Sequence, residues 1–381
     1  MNVEGGKTII ARGKIEINGD FEVLGARINK FITKKFTPIY CKSTCEIDID
    51  GDWFIVDGYT IPQSWKRVAN KEWETLFIYG GIDTGKSTLA TYLANIRGGC
   101  YVLDLDIGQS DIAHPGAMGY GYVKNQPCLN NAKMINGFFV GHISPSGHES
   151  KCLRGVSRLW RELETLDGEK IIDTTGWVKG KKAKEYKLAK IEIIQPDLIV
   201  SFERKPSFLK GFKVMEIERG LVVERDRIER SKIRSEIYKD WLSGAKCIGL
   251  KLDEVDIKSD LLDGEEIPKQ FLEDVLGCKI EFVLKSSDQL TIFLNASCSP
   301  EKSIIRGLKE LYNVDRLYVL QKKDITNLAL GLYKGKKYRG LALLKDIDKE
   351  KIVLETKFQE FDIIEFGSFR IEGEKEYITP F

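Results

Sequence analysis

The residues best suited to chemistry stand in one short run. Gly80-Gly81-Ile82-Asp83-Thr84-Gly85-Lys86-Ser87 satisfies the pattern G-x-x-x-x-G-K-S/T in full, with Thr88 following. Gly80 and Gly85 let the backbone turn tightly, so that successive N–H groups face phosphate oxygens. The positive end of the ensuing helix adds to that field. A lysine at position 86 reaches the β- and γ-phosphates, and the Ser87 hydroxyl is suited to Mg²⁺. The run predicts a phosphate loop for a nucleoside triphosphate, with ATP as the expected nucleotide. A dinucleotide fingerprint is the wrong alternative, because a Lys-Ser pair has no role in it.

A second group is acidic. In CYVLDLDIGQ, Asp104 and Asp106 stand two residues apart at the end of an apolar run, on one side of a strand. A phosphoryl-transfer site needs one acid for the Mg²⁺ water shell and another to orient or deprotonate the acceptor hydroxyl. Asp106, nearer the strand end, is expected as the base, with Asp104 supporting the metal. Asp173, in IIDTTG, ends a similar run and competes for the metal role. Acids that merely cap strands are the alternative for all three.

A third group is cationic. Arg225, Arg227, Arg230 and Arg234 lie in VVERDRIERSKIRSEIYKDWL, which reads as a helix. Arg227, Arg230 and Arg234 share one face at i, i+3, i+7 spacing and could neutralise a transferring phosphoryl group. Interleaved Glu224, Asp226 and Glu229, with Ile233 and Ile237 alongside, equally suit a solvated, salt-bridged helix. Lys179, Lys181, Lys182, Lys184, Lys187 and Lys190 form a basic run that either tracks a phosphate backbone or lies as a wet helix face. Trp177 sits between Asp173 and this run, free to stack on a base or to pack on its own domain.

These groups need elements to position them. LFIYG, CYVLDLD, FFVGHIS, KIIDTTGW and DLIVSFE are short apolar runs, several separated by helical stretches such as RGVSRLWRELETL and KAKEYKLAKIEII. That alternation predicts an α/β P-loop NTPase fold, a central parallel sheet with helices on both faces and ligands beyond the strands' carboxyl ends. Before it, short β-branched or alternating runs such as EIDID predict a small β domain. After it, KIEFVL, LTIFLN, RLYVLQ and KIVLET predict a second, mainly β domain. The expected segments are 1–62, 63–249 and 250–381.

The 381 residues are 42% hydrophobic and 30% charged, as an ordinary globular chain is, and the net charge of +2 gives no global pull toward nucleic acid or anionic membrane. The eight cysteines show no paired metal-ligand spacing and are expected as reduced thiols. The first residues lack a signal-peptide profile, and no apolar run approaches the ~20 residues of a membrane span. A soluble, cytoplasmic protein is expected, nuclear if eukaryotic.

Taken in order, the motifs resemble those of the polynucleotide 5′-hydroxyl kinases. That family includes a kinase subunit of the mRNA 3′-end cleavage machinery, nucleolar rRNA-processing kinases and archaeal relatives. GGIDTGKSTLA is followed by LDLDIGQ, which matches the family's Asp-x-Asp-x-Gly-Gln string. SPSG at 144–147 is similar to its clasp segment, TTGWVKG at 174–180 to its Gly-Trp element, and Arg230 and Arg234 to its Arg-x-x-x-Arg lid, with Arg225 upstream. IPQSW and GARI also fit, and the resemblance thins beyond residue 250. It implies that Lys86 and Ser87 bind ATP and Mg²⁺, and that Asp106 activates a 5′-hydroxyl. It further implies that Arg230 and Arg234 close over the phosphates, and that Trp177, with Gln109 from the second motif, meets the nucleic-acid end. SPSGHES lacks the Thr-x-Asn form of some members' clasp, so no residue is assigned there. The implied function is transfer of the ATP γ-phosphate to the 5′-hydroxyl of RNA, with DNA a further acceptor and RNA-processing proteins as partners. Two rivals stand beside it. One is an ATP-binding scaffold without turnover, which would not need the full set of Lys86, Asp106 and lid arginines. The other is a regulatory GTPase, for which the Asn/Thr-Lys-x-Asp guanine-reading segment is missing.

Overall fold

A computed structural model describes residues 1–295, 300–379 and 381, which form two compact units, Met1–Tyr238 and Lys239–Phe381. The expected junction at 62/63 lies within the first unit, and that at 249/250 falls inside the strand Lys246–Lys251 of the second.

The first unit opens with a five-stranded antiparallel sheet whose long members are Lys7–Asn18, Lys30–Cys41 and Cys45–Asp57. The alternation in CEIDI works as written: Cys45 and Ile47 are buried with Ile9, Ile15 and Ile39, while Glu46 and Asp48 face water. The helix Gln63–Ala69 then leads into the α/β part.

That part is built on a seven-stranded sheet in the order Val214–Glu216, Leu198–Ser201, Thr75–Tyr79, Lys170–Thr174, Cys100–Leu105, Ala117–Val123, Met134–Phe139. The first five strands are parallel. The expectation of a parallel sheet fails at the far edge, where Ala117–Val123 runs antiparallel to both its neighbours. The connection from Leu105 to Ala117 contains no helix, and without a crossover element the chain can only return antiparallel.

Burial on both faces explains why the central strands read as unbroken apolar runs. Leu76 and Ile78 pack with Leu89, Ala90 and Leu93 of the helix Lys86–Ile96. Phe77 and Tyr79 face the other way, onto Val156 and Leu159 of Glu149–Leu163 and Tyr186 and Ile191 of Lys181–Ile194. Helices thus cover both faces.

The second unit carries a seven-stranded, largely antiparallel sheet with Leu328–Lys334, Lys337–Ile347 and Ile363–Glu372 at its centre. A separate four-stranded sheet is backed by the helices Gln270–Leu276 and Lys302–Tyr312, whose Leu272, Leu276 and Leu308 enter its core. Among the described residues six cysteines are free, as expected; Cys278 departs from the expectation and is disulfide-bonded. Among the described residues, no helix is long and apolar enough to cross a membrane.

Candidate active site

At the carboxyl ends of the parallel strands lies a cavity of about 760 Å³. The loop after Thr75–Tyr79 forms its floor, with every residue from Gly81 to Thr88 on the wall and Gly80 just behind. Gly85 caps the helix Lys86–Ile96 in the left-handed region, φ +91°, a conformation that side chains disfavour. Lys86 is buried, and its Nζ donates to the Gly81 carbonyl at 2.6 Å, curling back over its own loop. Burial lowers the Lys86 pKa, while Asp173, Asp106 and Asp83 pull it back up. Beneath the loop, Trp65 of the IPQSW segment donates its indole N–H to the Glu218 carbonyl at 2.9 Å, and Ser64 donates to the Glu218 carboxylate at 2.8 Å. The strand-to-lid segment is thereby tied to the helix Gln63–Ala69.

The two competing acids occupy different surroundings. Ser87 Oγ donates to Asp173 Oδ2 at 2.6 Å, and Asp173 Oδ1 is buried without a hydrogen-bond partner. Burial pushes the Asp173 carboxyl up to about 6, with Lys86 and Ser87 pulling against it. Asp104 is turned instead into the loop that follows it. It accepts from the backbone N–H groups of Asp106 at 3.0 Å, Asp111 at 2.6 Å and Ile112 at 3.2 Å, and from the Ser110 hydroxyl at 3.2 Å. Burial, with Asp173 and Asp111 nearby, raises its pKa well above the usual range. With both oxygens occupied by this loop, Asp104 holds Asp106 in place, and Ser87 pairs with Asp173. An orphaned carboxylate oxygen beside a serine hydroxyl is a donor set that fits a hydrated Mg²⁺.

Asp106 lines the cavity, with Oδ1 accepting from Gly108 N at 3.0 Å and Gln109 N at 3.2 Å. Gln109 also lines it; its side-chain amide donates to the Gly108 carbonyl, while Oε1 is buried and unpartnered. Trp177 shares the wall, half-buried, with its ring 5.8 Å from that of Tyr186, so it packs on its own domain and faces the cavity together. The preceding Gly176 passes so close to the phosphate loop that a Cβ would lie 2.7 Å from Ile82 N. The clasp-like Ser144, Pro145 and Ser146 complete this side.

The arginine helix begins later than the sequence pattern suggests. Asp226 Oδ1 accepts the Glu229 N–H at 2.7 Å as an N-cap, so the helix is Arg227–Leu242 and Arg225 precedes it on an extended arm. Arg225, Arg230 and Arg234 line the cavity, and Arg227 is exposed away from it. The arm is pinned at Asp83 of the phosphate loop, which pairs with Arg225 and Arg230.

The basic run divides in two. Lys179, Lys181, Lys182 and Lys184 are exposed, whereas Lys187 and Lys190 are fully buried, contrary to both sequence readings. Lys187 Nζ donates to Thr174 Oγ1 at 2.7 Å and to the Thr175 carbonyl, bracing the strand end beyond Asp173. Burial holds its pKa well below the usual range and lowers that of Lys190, stacked on the Tyr186 ring, to about 8. Lys35 of the first sheet was also missed. It binds both Asp111 oxygens, at 2.6 and 2.7 Å, and lines the cavity from a strand with no motif to mark it.

Residues 80–244 match the family model for the mRNA cleavage and polyadenylation factor CLP1 P-loop. A polyribonucleotide 5′-hydroxyl-kinase of Methanocaldococcus jannaschii is 30% identical over 333 residues, covering 79% of this chain and 88% of its own. One of Pyrococcus abyssi is 29% identical over 324 residues, with 79% and 88% covered. The solved structure of Clp1p with Pcf11p superimposes with a TM-score of 0.64 at 13% identity, over 97% of both chains, and shares the fold. At 30% identity to a relative covered along most of both chains, with the phosphate-loop region matching the family model, the chain belongs to the polynucleotide 5′-hydroxyl kinase family.

Proposed function

We propose that this protein transfers the γ-phosphate of ATP to the 5′-hydroxyl of RNA. The observation that carries the reading is a single cavity walled by Lys86, Ser87, Asp106, Trp177, Arg230 and Arg234 in a chain with kinase-named relatives. The backbone N–H groups of the loop cradle the phosphates, and Lys86 leaves the Gly81 carbonyl to meet the β- and γ-oxygens. Asp106 orients the 5′-hydroxyl for in-line attack and accepts its proton. The lid arginines stabilise charge spread over the moving phosphoryl group. Trp177 offers its face to the terminal base, and Gln109 its free carbonyl oxygen to the same end. RNA-processing proteins are the class of partner that fits such a substrate.

Ser87 and Asp173 would hold Mg²⁺, which when bound neutralises the β- and γ-phosphate oxygens. The hydrogen bonds absorbed by Asp104 support giving it a positioning role in place of the metal role. Asp173→Asn should therefore raise the Mg²⁺ concentration needed for half-maximal transfer by about 10-fold or more. Asp104→Asn should lower the melting temperature and leave that Mg²⁺ requirement near wild type. Mg²⁺ titrations of activity with melting curves for both variants check this; a shifted Mg²⁺ requirement in Asp104→Asn alone would return the metal role to Asp104.

The function itself is tested with γ-labelled ATP, Mg²⁺ and oligonucleotides bearing either a 5′-hydroxyl or a 5′-phosphate. Label is expected on single-stranded RNA with a free 5′-hydroxyl and not on the 5′-phosphorylated strand. DNA and duplex arms define the acceptor range. ATP binding without labelling of any 5′ end would favour the scaffold reading.

A further inference from the structure

The middle of the phosphate loop carries an acid where phosphates are to bind. Asp83 adopts a left-handed φ of +51°, and its side chain is only 8% exposed. A carboxylate beside a triphosphate is repulsive unless it is neutralised. Here two guanidinium groups neutralise it. Arg225 donates its Nε at 3.0 Å and its Nη2 to Oδ1, while Oδ2 accepts the Arg225 backbone N–H at 3.2 Å and Arg230 Nη1 at 3.2 Å. Arg230 Nη1 also donates to the Arg225 carbonyl at 2.6 Å. One acid in the loop thus gathers both the main chain and the side chain of the lid arm. Arg225 Nη1 remains buried without a partner on a residue that lines the cavity. On its outer side, the first turn of the lid helix is tethered by Glu229, which pairs with Arg12 of the first sheet at 2.6 Å.

We infer that Asp83 is a positioning residue: it docks Arg225 and Arg230 over the phosphate loop so that Arg225 presents its free Nη1 to the transferring phosphoryl group. The inference rests on the kinase reading given above. The arm at 221–226 is not helical, so without Asp83 nothing in the loop fixes where Arg225 points. A guanidinium held in place contributes at the moment of transfer without having to reorganise. The pairing with two arginines leaves the Asp83 cluster with net positive charge, so the dock does not repel the nucleotide it serves.

The test combines kinetics with a measurement that needs no activity. Single-turnover transfer from ATP–Mg²⁺ to a 5′-hydroxyl oligoribonucleotide is compared among wild type, Asp83→Ala, Asp83→Asn, Arg225→Ala and the Asp83→Ala/Arg225→Ala double variant. Asp83→Ala is expected to lower the transfer rate by about 10- to 100-fold with KM for ATP little changed. Asp83→Asn, which keeps an acceptor oxygen, should lose less. The double variant should be slower than Arg225→Ala by much less than the Asp83→Ala factor, because Asp83 acts mainly through Arg225 and only its hold on Arg230 is still lost. In parallel, hydrogen–deuterium exchange of the free protein should show segment 221–226 losing protection in Asp83→Ala while the helix Lys86–Ile96 keeps its own. Effects of Asp83→Ala and Arg225→Ala that multiply independently, or unchanged exchange of the arm, would overturn the proposal. Should wild type label no 5′ end, the kinase reading fails by that result alone, while the exchange experiment still decides whether Asp83 docks the arm.

Discussion

Asp106→Asn is expected to slow phosphoryl transfer by about 10²- to 10⁴-fold while ATP affinity stays within a few-fold. The asparagine is isosteric and keeps an oxygen to accept the Gly108 and Gln109 N–H groups that hold the wild-type side chain at 3.0 and 3.2 Å. The Asp104 hydrogen bonds that shape the following loop come from backbone and Ser110 donors and are untouched. What is lost is the basic oxygen that takes the acceptor's proton. Rapid-quench measurement of a single turnover, with ATP binding measured on the same preparation, separates these terms. A large loss of ATP–Mg²⁺ affinity would instead make Asp106 a metal ligand, and the base would have to lie elsewhere.

Replacing Arg230 or Arg234 with alanine should lower kcat on the order of 10³-fold, about 4 kcal/mol of transition-state stabilisation. Arg227→Ala is the control. It sits on the same helix but is exposed and away from the cavity, so its loss should cost under about 1 kcal/mol of stability and little turnover. Of the two, Arg230 should be the more damaging, because it also bonds Asp83 and the Arg225 carbonyl and so steadies the arm. Steady-state kcat and melting temperatures for the three variants check the ordering. Equal effects at all three positions, or full activity in the Arg230/Arg234 double variant, would reduce the helix to a salt-bridged surface.

The parts of this site that could be read in the sequence are those whose geometry is local. The phosphate loop is eight contiguous residues whose glycines and lysine have mechanical roles, and its place between an apolar strand and a helix follows from the flanking pattern. Asp106 is marked by its position at a strand end, and Arg230 and Arg234 by the Arg-x-x-x-Arg resemblance, since helical spacing alone suits a salt-bridged surface equally well. Contacts made across long chain separations left no such trace. Asp83 and Arg225 stand 142 residues apart, and Lys35 meets Asp111 across 76. Nothing in the local pattern told Asp104 from Asp173, because the distinction lies in which backbone donors surround each. Lys187 and Lys190 read as part of a charged face, yet helix periodicity turns them inward beside Tyr186, where strand-end oxygens and an aromatic ring receive them. The edge hairpin was hidden for a related reason: strand direction depends on what connects the strands, and the connection before Ala117 has no helix.

In the proposed reaction one cavity brings a 5′-hydroxyl, Asp106 and the ATP γ-phosphate into line beneath the lid arginines. A crystal structure of the protein with a non-hydrolysable ATP analogue, Mg²⁺ and a short 5′-hydroxyl oligoribonucleotide tests it directly. The 5′-oxygen is expected at about 3 Å from an Asp106 carboxylate oxygen, opposite the β–γ bridging atom, with Arg225, Arg230 or Arg234 on the γ-phosphate. An oligonucleotide bound away from Asp106, or Asp106 coordinated to the metal with the 5′-oxygen out of line, would contradict it.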